Sequence, residues 1–144
     1  MNKLAIVLVF YSFLSGCTTP HTFEDVTPQL YRPNLEKITD ITIDEMGITS
    51  SAQIDDSEFK CEEFELTPGE VKTYFKAAMQ VSKNDYWHML DWSPCYIKGK
   101  LVFENGEKAT WSINQLRSGA ITDSNGNNTY LYCPDCVATH FLGP

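Results

Sequence analysis

The chain has 144 residues, with nineteen Asp plus Glu against eleven Lys plus Arg and a formal net charge of −8. That length holds one small domain and no more once any leader is set aside. Strong acidity without a basic cluster excludes a nucleic-acid binder and opposes adhesion to anionic head groups. It keeps a domain soluble and suits a cationic partner.

In chain order, residues 1–16 read as a secretory leader. Lys3 supplies the positive start, and Leu4 to Leu14 form an apolar stretch too short and too N-terminal for a membrane span. Small residues then lead into Cys17, and Leu14-Ser15-Gly16-Cys17 resembles the bacterial lipobox. That resemblance implies a diacylglyceryl group on the Cys17 thiol, removal of the leader, and acylation of the new amino terminus. The competing reading is an ordinary signal peptide with a chance cysteine. One acyl chain anchors only marginally and several anchor stably, so attachment to the membrane through Cys17 is expected. Thr18 and Thr19 follow in place of an Asp. The expected location is therefore the outer membrane, facing the periplasm, with the inner membrane as the alternative. The leader carries Lys3 and no acid, so its loss leaves ten Lys plus Arg against nineteen acids, a charge of −9.

Residues 17–40 are expected to be the lipidated cysteine and an extended tether, with Pro20, Pro28 and Pro33 among scattered polar residues. Some twenty residues reach on the order of 60–70 Å when fully stretched. The domain is expected over 41–144. Ile41 and Ile43 alternate with Thr42 and Asp44 as a first short strand, and Phe59, Cys61 and Phe64 suggest a second. Thr67-Pro68-Gly69-Glu70 is a helix start: Thr67 caps, Pro68 takes the first helical position, and Glu70 completes a capping box. Leu66 and Val71 have the spacing of a hydrophobic staple. Val71, Tyr74, Phe75, Ala78 and Met79 line one face of a helix that should fade near Val81, with a loop following from Ser82.

The next segment is a hairpin with a derivable register. Cys95, Ile97, Gly99, Leu101 and Phe103 share one strand face, and Ala109, Trp111 and Ile113 share a face of the return strand. A two-residue Asn105-Gly106 turn would send these sets to opposite sides of the sheet. A three-residue loop, Glu104-Asn105-Gly106 with a left-handed Gly106, puts both on the same side and sets Trp111 against Gly99. A second hairpin is expected from Gly119–Thr122 to Thr129–Cys133 through the turn Asp123–Asn128.

Cys61, Cys95, Cys133 and Cys136 make an even set for an oxidising compartment, and four cysteines allow three connectivities. A Cys₄ zinc site competes, but only one Cys-x-x-Cys is present. Pairing Cys61 with Cys95 closes a loop of about 35 residues, worth about 3–4 kcal/mol in the chain-entropy model. Cys133 and Cys136 then pair locally. This pairing is preferred, and the two crossed alternatives stay open. The expected fold is α+β: one amphipathic helix packed on a curled antiparallel β-meander, disulfide-bonded.

Three segments together carry a wider resemblance. They are Cys61…Thr67-Pro68-x-x-Val71-x-x-Tyr74-Phe75, then Ser93-Pro94-Cys95-Tyr96-x-x-Gly99, then Asn105-Gly106…Trp111-Ser112-Ile113. With the leader included, the chain is similar to small enterobacterial envelope lipoproteins of the YafY/YfjS type. The resemblance implies an envelope lipoprotein whose excess triggers the periplasmic stress response. It also favours a Cys61–Cys95 pair, and it carries no catalytic residue across. Cys133-Pro134-Asp135-Cys136 departs from the pattern of that group.

The chemistry-bearing residues are few. Cys133-Pro134-Asp135-Cys136 has thiol-oxidoreductase spacing, but eight residues follow it, too few for a thioredoxin-like helix and strands. A structural clip is the better reading. His21, His88 and His140 share no metal-ligand spacing, and neither an HExxH pattern nor a cofactor motif occurs. His88 with Asp85 or Asp91 would be a base and its orienter, with no nucleophile to serve. The chain therefore reads as a non-enzyme. The recognition candidate is the loop Asp85–Trp92, in which Tyr86, Trp87, His88, Met89 and Trp92 supply interface-type contact area for a periplasmic protein partner. The competing reading folds Trp87, Leu90 and Trp92 back as a plug for the core. A second functional class is an inhibitor or immunity protein against a cell-wall-degrading enzyme or toxin. Small acidic lipoproteins that inhibit lysozyme present a Ser-Gly-x-x-Tyr loop, and here Ser118-Gly119 is followed by Thr122 where that loop has Tyr.

Overall fold

A computed structural model describes residues 27–50 and 59–142. The leader, Cys17, His21 and the first part of the tether lie outside the described residues. The elements are β1 (Ile38–Thr49), a 3₁₀ turn (Cys61–Glu63), α1 (Pro68–Ala77), β2 (Met79–Gln80), α2 (Lys83–His88), β3 (Cys95–Phe103), β4 (Lys108–Asn114), β5 (Ser118–Thr122) and β6 (Asn128–Tyr132). Among the described residues, no helix is long and apolar enough to cross a membrane.

The six strands form one sheet in the order β1-β3-β4-β5-β6-β2, and every pairing is antiparallel. Tyr31 bridges Gln80 on β2, at one edge, with N···O distances of 2.8 and 2.7 Å. The chain then runs on to β1 at the opposite edge, so residues 31–38 join the two edges and the sheet curls around its core. The stretch expected as free tether is thus docked from Tyr31 onward, and Leu35 and Ile38 pack against the core.

The β3–β4 hairpin follows the three-residue loop. Gly106 is left-handed at φ 86°. The Phe103 N–H donates to the Glu107 carbonyl and the Gly106 N–H to the Phe103 carbonyl, both at 2.9 Å. Gly99 then faces Trp111, Ile97 faces Ile113, and Leu101 faces Ala109. All six lie on the core side, while Lys98 and Lys100 are exposed. The Trp111 ring lies over Gly99, donates from Nε1 to the Lys100 carbonyl at 3.1 Å, and meets Phe75 edge-on at 5.5 Å.

α1 begins as expected. The Glu70 N–H donates to Thr67 Oγ1 at 3.2 Å, and Glu70 Oε2 accepts from the Thr67 N–H at 2.7 Å. The hydrogen bond from the Thr67 backbone, and then that from its hydroxyl, hold the Glu70 carboxyl below the usual carboxylate range. Val71, Tyr74 and Phe75 are buried, and Lys72, Thr73 and Lys76 are exposed. The helix ends at Ala77 rather than near Val81, because Ala78 turns extended and Met79 and Gln80 pair with Tyr132 and Leu131. Tyr31 takes the other side of Gln80, so distant partners win these backbone groups from the helix. Two further expectations are corrected. Phe59–Phe64 is not a strand: Lys60 is left-handed at φ 46° and leads into the 3₁₀ turn, which buries Cys61 and, at its end, Phe64. The segment from Ser82 is not all loop, because Ser82 Oγ accepts from the Asp85 N–H at 3.0 Å and starts α2.

Cys61 pairs with Cys95 and Cys133 with Cys136, with Cα–Cα separations of 4.9 and 5.3 Å. All four sulfurs are thereby committed, so the zinc reading has no thiolate ligands. Replacing Cys61 and Cys95 together by Ser should lower unfolding free energy by about 3–4 kcal/mol in denaturant titrations, and the same change at Cys133 and Cys136 by about 1–2 kcal/mol. Gly99→Ala would push a Cβ into the Thr42 carbonyl and to 2.7 Å from the Trp111 ring. It should cost more than about 3 kcal/mol, whereas Gly106→Ala, with open space around it and only its positive φ against it, should cost about 1 kcal/mol.

Candidate functional site

α2 buries none of its residues in the core. It lies instead against the outer face of the sheet, where strand alternation places Tyr130 and Tyr132 on either side of inward-facing Leu131. The Tyr86 ring packs on Tyr130 at a centroid distance of 4.6 Å. Trp87 meets Tyr86 edge-on at 5.2 Å and Tyr130 at 6.3 Å. The Tyr86 hydroxyl hydrogen-bonds the Ser118 hydroxyl, and burial, then the nearby Tyr96, pushes its pKa up to about 12 against that bond. Tyr96 is also raised by burial, opposed by hydrogen bonds with the Trp92 indole and the Asn114 side chain. Tyr86 therefore lies across one end of the outer face, with Trp87 and Tyr130 on one side and Trp92 and Tyr96 on the other.

Trp87 is 55% exposed and Trp92 47%, so neither plugs the core. Free mobility is not the alternative, because each indole is tied to a tyrosine held by the sheet. Of the expected recognition residues, the structure brings Tyr86 and Trp87 together around Tyr130 and places Trp92 on Tyr96. Met89 is half-buried at the end of α2, and exposed His88 makes no hydrogen bond to Asp85 or Asp91 among the described residues. Asp85 Oδ2 instead accepts from the Gln29 N–H at 3.2 Å. Sequence reasoning missed Tyr96, Tyr130 and Tyr132. The signal was present in Thr129-Tyr130-Leu131-Tyr132, where period-two alternation leaves two aromatic residues on the solvent face of a strand.

The remaining candidates sit elsewhere. Cys133 and Cys136 are 2% and 6% exposed, which shields their sulfurs from an attacking thiolate. Their turn is clasped by Arg117, whose Nε donates to the Cys136 carbonyl at 2.9 Å and whose own carbonyl accepts from the Cys133 N–H at 3.1 Å. The chain then returns under Phe141, which packs on Phe64 and Tyr74. Ser118-Gly119 is not a presented loop: both residues lie within β5, and Ser118 is 3% exposed. Among the described residues no group of three His, Cys, Asp or Glu is placed to hold a metal. No protein family, no curated protein and no solved structure matches this chain.

The raised Tyr86 pKa sets an alkaline limit. Between its ordinary value of 10.0 and about 12, the folded state holds a proton that the unfolded chain has released. Stability is then fully present below pH 10 and falls as pH rises through that window. Buried Tyr74, raised in the same direction, adds to the fall. Tyr86→Phe should make the loss between pH 10 and 12 shallower in denaturant titrations, and an unchanged slope would contradict the assignment.

Proposed function

We propose that this chain is a non-enzymatic binding module of the bacterial envelope. It is anchored through a lipid on Cys17, placed at the periplasmic face of the outer membrane, and engages its partner through the aromatic face around α2. One observation carries the binding reading: Trp87 and Trp92 are both about half exposed while fixed to Tyr130 and Tyr96. Rings held in place outside the core present contact area at little entropic cost, the property of interface anchors. The lipid anchor and the location are supported by the lipobox resemblance. A link to the envelope stress response is supported by the resemblance to lipoproteins of the YafY/YfjS type. The net charge of −8 keeps the inhibitor class in view, since a cell-wall-degrading enzyme of opposite charge would be steered to it.

The test is capture from intact envelopes, with lipidated wild type beside a Trp87→Ala/Trp92→Ala variant of unchanged melting temperature. An envelope component retained by the wild type and lost by the variant is the expected result. Identical lanes would refute the aromatic face as the binding surface, and a captured muramidase would favour the inhibitor class.

A further inference from the structure

The pairing register makes the outer face of the sheet a trough, with the aromatic cluster at one end. Lys98, Ser112, Ala120 and Tyr130 form one row across β3 to β6, and Lys100, Thr110, Thr122 and Asn128 the next. The floor, on β4 and β5, is therefore built of small residues: Ser112 opposite Ala120, then Thr110 opposite Thr122. The flanks are taller, with Lys98 and Lys100 on one side and Tyr130, backed by Trp87, on the other. Tyr86 closes one end by reaching to Ser118. The other end opens into a cavity of about 320 Å³ bordered by Thr42, Thr110 and Thr122 and by the charged Asp40, Lys108 and Asp123. Outward residues of a strand recur about every 6.8 Å, so Ser112 and Thr110 span about 7 Å of floor and Lys108 stands about 7 Å beyond, at the open end.

Three properties narrow what fits. First, β3, β4 and β5, which form the floor and the lysine flank, are each paired on both sides, while β2 covers β6 only at Leu131 and Tyr132, so the floor of the trough has no free backbone edge and a peptide cannot lie along it as an added strand. Second, its apolar surface is one aromatic flank, and its floor is hydroxylic. A protein interface has the reverse layout, with an apolar centre inside a polar rim. Third, the lysine flank is balanced at Lys100, whose Nζ lies 2.9 Å from Asp44 Oδ2, and the open end carries Asp40 and Asp123 beside Lys108. That leaves no strong field for a polyanion. An extended neutral chain with flat C–H faces and hydroxyl edges answers all three.

We propose that this trough is a glycan-binding site, in which a pyranose ring stacks its C–H face on Trp87, beside Tyr130, while its hydroxyls bond to Ser112, Thr110 and Thr122. This rests on the binding-module reading and names the chemical class of the partner. Thr122 Oγ1 already donates to Asn128 Oδ1 at 2.6 Å, which leaves that hydroxyl as an acceptor and the Asn128 amide as a donor. Tyr86, bonded to Ser118, sets where one end of the chain stops.

The probe is tetra-N-acetylchitotetraose titrated into the full folded chain in detergent, read by the indole N–H signals of the three tryptophans. Saturable movement of the Trp87 signal is expected, with buried Trp111 unmoved. Trp87→Ala should weaken binding at least about tenfold, equivalent to about 1.4 kcal/mol. Thr110→Val and Thr122→Val, which leave the rings in place, should each weaken it about threefold or more. The thresholds apply at unchanged melting temperature. If Trp87→Ala misfolds, the threonine variants decide. No saturable change up to about 10 mM, or binding retained by all three variants, overturns the proposal. A protein captured from envelopes through Trp87 without any glycan response would overturn the glycan and keep the binding module. Failure of both experiments would remove both.

Discussion

The register of the β3–β4 hairpin, fixed by the left-handed Gly106, is the constraint on which the rest of this structure depends. Because side chains alternate with period two, a slip of one residue would exchange the faces of β4. Ala109, Trp111 and Ile113 would turn to water, and Thr110, Ser112 and Asn114 would turn to the core. As built, Trp111 fills the space over Gly99 and offers its edge to Phe75 of α1. One contact thus joins the hairpin, the helix and the core. The same register puts Ser112 and Thr110 outside, where they become the floor beside the aromatic face. Core and candidate site are two sides of a single choice made at a loop of three residues.

The features legible in the sequence are those whose causes are local. The Thr67–Glu70 capping box, the Gly106 bulge and the second hairpin each depend on a few neighbouring residues, and each occurs where those residues predict it. The strand β2 could not be read this way. Met79 continues the helical spacing, yet β6 and Tyr31 claim the backbone of 79 and 80 from either side. Lys60 likewise takes a left-handed conformation that nothing in its neighbours announces, and it turns an expected strand into a tight turn. For α2 the cue was there: Ser82 followed three residues later by Asp85 is a capping pattern.

The candidate site was half legible for a related reason. Trp87 and Trp92 stand out by composition, but the setting of Trp87 comes from a strand about forty residues further on. Tyr130 supplies the surface on which Tyr86 and Trp87 rest, and Ser118 takes the Tyr86 hydroxyl. The outer face of the sheet gives the rings a second apolar surface, which is why they escape the core without becoming loose.

The bridge between Tyr31 and Gln80 has a mechanical meaning. A pull applied from the N-terminal side reaches the domain at the Gln29–Asp85 hydrogen bond and then at this single pair of hydrogen bonds. Only after they part can load pass to β1, whose long ladder with β3 runs from Ile38 to Thr49. The Cys61–Cys95 bond stands behind that ladder as a covalent stop. Force would therefore be met in stages of rising strength, a weak latch, then a zipper, then a rivet. A domain pulled from that end would yield at its latch while its folded centre stayed whole.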